Sequence, residues 1–230
     1  MNKLVKQGVL ALLTLVMSTQ AMAAFVLNGT RFIYEEGRRN TSFEVTNQAE
    51  ETFGGQVWID NTNQAPGSVY MVPTPPFFKV APKEKQIIRI MKTDSALPVD
   101  RESLFWLNVQ EIPPKPKNAE GNVLAVAVNT KVKLIYRPAS LVEGRKRAEQ
   151  QLRIVHRNGE TFLNNPTSYY FAVTDIKANG KSVALSDAVL GRIAQLAPKS
   201  EVALGKQSLN GIVTVDAVND WGGIESYTLQ

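Results

Sequence analysis

The sequence predicts an all-β protein: two antiparallel β-sandwich domains behind an N-terminal export signal. Three observations carry this. Apolar and polar residues alternate at a period of two through most of the chain, turn-forming residues break the alternation at short intervals, and 230 residues suit two sandwiches of about 100 each.

The export signal comes first. Lys3 and Lys6 form a short positive start, Gly8 to Met17 is an apolar run of ten residues, and Ala21-Met22-Ala23 supplies the small residues a signal peptidase requires. Ten apolar residues are too few to span a bilayer. Cleavage after Ala23 is therefore expected, leaving an exported chain with no stable membrane insertion. Losing Lys3 and Lys6 lowers the formal net charge of +5 by two, and acidic residues are interspersed with basic ones, so no nucleic-acid partner is indicated. The chain has no cysteine. That excludes a disulfide, a thiol nucleophile and a thiolate metal site, and leaves the fold to core packing.

The alternating runs follow in order. Phe43, Val45 and Asn47 alternate with Ser42, Glu44 and Thr46; Gln56 to Ile59 comes next; Ile88 and Ile90 alternate with Arg89 and Met91. Ser103 to Val109 is aromatic and apolar, and further runs are Gln151–Val155, Tyr169–Ile176 and Gly211–Val215. Between them lie Gly37, Asn61–Asn63, Pro66-Gly67, Pro73 to Pro76, Asn158-Gly159 and Asn179-Gly180. An α/β fold would need helices of ten or more residues between strands. None is visible. The boundary falls near Arg137 to Arg147, where Pro138 ends a strand and Glu143 to Arg147 reads as polar and flexible. The expected division is 1–23 signal, 24–140 first sandwich and 141–230 second sandwich. Pro113-Pro114-Lys115-Pro116 reads as a loop that keeps a strand end from pairing.

Asn122 to Pro138 is the most informative segment. Leu124, Val126 and Val128 share one strand face, Ala125 and Ala127 take the other, and the pattern continues through Val132, Leu134 and Tyr136. A strand of this length would reach roughly 50 Å, so part of it should project or lie at an edge. Two readings stay open on composition. Leu124, Val126 and Val128 are core residues of their own domain, or they are offered to a partner by strand addition. Burying three such side chains in a partner would contribute about 5–8 kcal/mol before ordering costs.

Longer motifs add a resemblance. Leu97 to Trp106, Ile112-Pro113-Pro114 and Thr130 to Pro138 resemble the periplasmic pilus chaperones of the chaperone–usher pathway. So do Thr30-Arg31, Thr74-Pro75-Pro76, Asn165 to Tyr170 and Asn219 to Gly223. The resemblance covers nearly the whole mature chain. It implies immunoglobulin-like sandwiches at an angle, with a cleft between them. It also implies that Arg31 and Lys133 grip the C-terminal carboxylate of a pilus subunit, while Leu124, Val126 and Val128 are the donated residues that complete the subunit's fold. Lys133 alternates out of phase with those three, so holding both roles calls for a bulge or twist near Asn129-Thr130. Glu102, Arg137 and Asp220 match a charge network between the domains. The short Glu111–Asn122 loop resembles the short-loop branch. The implied partners are one pilus subunit per chaperone and the outer-membrane usher. Whether unoccupied molecules cap one another's edge strands is left open.

Other function classes fare worse. An enzyme would depend on His156, the single histidine, which sits in an apolar run as a structural histidine would. No catalytic residue, metal site or cofactor is indicated. An exported structural or adhesive sandwich resembling a pilus subunit would be a single incomplete domain, often with a disulfide.

Overall fold

The structure is a computed structural model that describes residues 23–93, 95–115 and 126–229. Nine strands form the first sandwich: β1 (Phe25–Leu27), β2 (Arg31–Glu35), β3 (Thr41–Asn47), β4 (Phe53–Asn61), β5 (Met71–Thr74), β6 (Phe77–Val80), β7 (Lys85–Lys92), β8 (Ser103–Ile112) and β9 (Asn129–Arg137). One sheet runs β1-β3-β7-β5 and the other β2-β9-β8-β4-β6. The period-two pattern dictates the packing. Phe43, Val45, Ile88 and Ile90 from the first sheet meet Val57, Phe105, Leu107 and Leu134 from the second. All are fully or almost fully buried, each worth about 1.5–3 kcal/mol of apolar burial.

A second sandwich follows three short 3-10 turns between Ala139 and Gln151. Its strands are β10 (Arg153–Arg157), β11 (Glu160–Asn165), β12 (Val173–Ala178), β13 (Lys181–Ser182), β14 (Ser200–Gly205), β15 (Val213–Val218) and β16 (Ile224–Thr228), in sheets β10-β11-β14 and β13-β12-β15-β16. Leu163, Val173, Ile176, Leu196 and Val215 fill a separate core. Asn158-Gly159 and Asn179-Gly180 close two-residue hairpins with φ near +50° at each Asn and near +78° at each Gly, the left-handed pair such hairpins need. Among the described residues no helix is long and apolar enough to cross a membrane.

Several sequence expectations shift. The Tyr169–Ile176 run becomes a strand only from Val173, because Asn165 Nδ2 donates to Tyr169 O (2.8 Å) and holds the preceding residues in a turn. The Gln151–Val155 and Gly211–Val215 runs pair as Arg153–Arg157 and Val213–Val218. A seven-residue helix, α1 (Asp187–Ile193), is too short to show a helical period, although Ser186 caps it by accepting from the Val189 N–H. Glu143–Arg147, which reads as polar and flexible, contains a buried arginine: Arg145 is clamped by buried Glu149. His156 is exposed rather than structural in a core. It lies at the far end of an edge strand beside the Asn158-Gly159 turn, with Nδ1 2.8 Å from Thr161 Oγ1.

Candidate functional site

The strand β9 has two neighbours that start at different heights. It pairs antiparallel with β8 along its whole length, from Asn129 opposite Gln110 to Tyr136 opposite Ser103. It pairs parallel with β2 only from Lys133, which lies opposite Arg31. Among the described residues, Asn129 to Val132 therefore have a strand on one side and an open rim on the other. Backbone geometry assigns the rim groups. Glu111 N–H donates to Val128 O (2.9 Å), so Val128 and its even-numbered successors exchange hydrogen bonds with β8. The odd-numbered residues point the other way: Arg137 O accepts from Glu36 N–H (2.8 Å) on the β2 side, and by the same alternation Asn129 and Lys131 face the rim.

Val126 is 68% exposed and Val128 39%. Leu124 lies outside the described residues. Val128 shares its face with Val132, Leu134 and Tyr136, which pack in or against the first core, so an apolar stripe leaves that core along an unpaired edge. The register from Asn129 to Arg137 contains no shift. Of the bulge or twist expected near Asn129-Thr130, no bulge is present among the described residues. Val128 points with the core face and Lys133 with the cleft face.

Where the rim ends, Arg31 and Lys133 stand side by side at the cleft. Arg31 Nη1 donates to Val218 O (2.9 Å), while its Nε is buried without a partner. Lys133 Nζ donates to Ala194 O. Among the described residues neither cation makes an ion pair. Burial pushes the Lys133 ammonium down to about 8, helped by the Arg31 charge beside it. Burial also lowers Arg31, although Asp220 opposes it. Leu104, Ile135, Tyr170 and Phe171 line the same recess. Such a site suits one anion small enough to touch both cations, and a carboxylate accepting from Arg and Lys meets that description.

Behind Arg31 and Lys133, one arginine joins the two sandwiches. Arg137 Nε donates to Glu102 Oε1 (2.6 Å) and Arg137 Nη1 to Asp220 Oδ2 (2.7 Å). Glu102 Oε2 also accepts from Tyr170 N–H (2.7 Å), tying the second sandwich to the first. Burial would lower Arg137, but its hydrogen bond to Asp220 and the charge of Glu102 outweigh it and raise the guanidinium above its usual value. Burial pushes Glu102 up against the pull of Arg137. At Asp220 burial loses to Arg137 and Arg145, and the carboxyl falls below its ordinary range. Sequence reading misses Arg145, which reaches Asp220 Oδ1 at 3.3 Å and sits over the Tyr169 and Phe171 rings. Nothing in its charged surroundings signals burial.

Residues 24–142 match the family model described as pili and flagellar-assembly chaperone, PapD N-terminal domain; residues 147–229 match pili assembly chaperone PapD, C-terminal domain. The chain is 47% identical over 215 residues to the chaperone protein FanE of Escherichia coli, covering 94% of each. It is similar to the solved periplasmic chaperone SfaE at 32% identity and a TM-score of 0.68, over 89% of this chain and 98% of that one. A chain from the complex of Salmonella enterica SafA pilin with the SafB chaperone shares the fold: TM-score 0.74, 21% identity, coverage 91% and 97%.

Proposed function

The chain belongs to the pili-assembly chaperone family, and on that premise we propose that it lends pilus subunits the open rim of β9 while Arg31 and Lys133 hold the subunit's C-terminal carboxylate. It is a periplasmic chaperone that binds and caps these subunits and passes them to the outer-membrane usher. The family's activity is escort rather than catalysis.

The observation that carries the site is continuity: the unpaired edge of β9 leads directly to two cations without ion-pair partners among the described residues. This reading implies a direction. A subunit strand on the rim lies in line with β2, and only a strand running parallel to β9 ends at Arg31 and Lys133. Asn129 and Lys131 supply its backbone hydrogen bonds, and Val126 and Val128, with Leu124 beyond them, supply the alternating side chains. Glu102, Arg137 and Asp220 hold the angle that keeps Lys133 at the end of the rim. Support for separate units comes from the two cores, and we place the divisions at 1–23, 24–140 and 141–230, with the signal cleaved after Ala23.

Mature chain recovered from periplasm should carry one pilus subunit per chaperone. Arg31→Ala and Lys133→Ala should each lose the subunit while remaining folded. Normal capture by both variants would overturn the anchor assignment.

A further inference from the structure

Trp221 is 89% exposed, the most exposed of the large apolar side chains among the described residues, and Ile224 beside it is 66% exposed. The indole belongs to no core cluster. The backbone that carries it is nevertheless held in place. Trp221 N–H and Gly223 N–H donate to Asn219 Oδ1 (3.0 and 2.9 Å), Asn219 N–H donates to Gly223 O (2.8 Å), and Gly222 N–H donates to Asn219 O (3.1 Å). A turn pinned by four hydrogen bonds fixes where the Trp221 side chain leaves the backbone. Large exposed apolar side chains on a rigid support mark contact surfaces, and Trp is the residue most enriched where contacts are strongest.

The position of the turn identifies the occupant. Gly222 takes φ +87°, and a Cβ there would lie 2.6 Å from Thr30 Oγ1, so only glycine lets the turn press against the residue that precedes Arg31. Two residues before the turn, Val218 O accepts from Arg31 itself. The turn is thus continuous with the anchor, at the place where a strand in line with β2 would end. We propose that Trp221, with Ile224, is a second contact point on the captured pilus subunit, packing on its apolar surface beside the C-terminal strand. This rests on the capture mode proposed above. It assigns to the second sandwich a part in client binding that the rim and the two cations leave unfilled.

The test uses the mature chain labelled with 5-fluorotryptophan and, as probe, the unlabelled pilus subunit recovered with the wild-type chain from periplasm. Trp58, Trp106 and Trp221 give three fluorine signals, and the one missing in Trp221→Phe belongs to Trp221. Subunit binding should move that signal and shield it from solvent. In competition for the subunit, Trp221→Ala should lose about tenfold against wild type, with little change in the melting curve because the side chain is exposed in the free chain. Trp221→Arg should lose at least as much. A Trp221 signal unmoved by the subunit, competition within about twofold, or a signal that moves only with usher or with chain concentration would each overturn the proposal. Arg31→Ala in the same competition separates the two readings: if it loses capture while Trp221→Ala does not, the capture mode stands and the second contact falls.

Discussion

At the scale of single residues, Lys133 has the most distinctive electrostatics. Its ammonium is lowered to about 8 from an ordinary 10.5, first by burial and then by Arg31. A bound carboxylate favours the charged form, so capture takes up a proton whenever Lys133 is neutral. Affinity should stay flat below pH 8 and fall by up to tenfold per unit above it. Lys133→Met should bind weakly with a flat profile, as isothermal titration across pH 6.5–9.5 would reveal. The free chain responds with the opposite sign. Between the lowered value and 10.5 the unfolded state binds more protons at this position, so the Lys133 contribution to stability rises with pH over the window in which capture weakens. Parallel trends in stability and affinity would contradict this assignment.

At the scale of elements, the rim of β9 separates by parity. Asn129→Pro removes an N–H that faces the rim and leaves the β8 ladder intact, so capture should drop more than tenfold with little change in melting temperature. Thr130→Pro removes an N–H directed at β8 and should destabilise the chain itself. Charged substitutions at Val126 or Val128 should also weaken capture more than stability, since both side chains are exposed in the free chain. Equal effects on melting curves from both prolines would remove the rim from the account. Period-two alternation makes β3, β7 and β8 legible in the sequence, because one buried face imposes it. Asn-Gly pairs likewise announce both tight hairpins. Short edge strands such as β1, β5 and β13 carry too few residues to show a period. The proposed anchor is legible only through resemblance: an arginine at the start of a strand looks like a surface residue until β2 is found running parallel to β9, a pairing that joins residues about a hundred positions apart. Arg145 cannot be read at all, since its burial depends on Glu149 and two aromatic rings that converge only in the fold.

At the scale of the whole molecule, the two cores are separate, and the proposed reading has the buried charges of Glu102, Arg137 and Asp220 hold the angle between the sandwiches. Glu102 is 2% exposed and Arg137 4%. Removing one partner strands the other: Arg137→Ala should cost about 3–5 kcal/mol and loosen the interdomain angle. The double replacement Glu102→Leu with Arg137→Met should recover much of the stability but not the angle, because packed apolar groups replace the burial without the directional bridge to Asp220. Calorimetry and small-angle scattering separate the two outcomes, and a scattering profile unchanged in both variants would show that the network does not set the angle. That angle matters because it brings the second sandwich's Val218 and Ala194 carbonyls to the cations at the end of the rim. Amide hydrogen exchange on the chaperone, free and with a captured subunit, tests the central claim most directly. The Asn129 and Lys131 amides should exchange freely in the empty chain and become protected on capture, while Thr130 and Val132 are protected in both states. If Asn129 and Lys131 exchange at the same rate with a subunit bound, no strand has joined the rim.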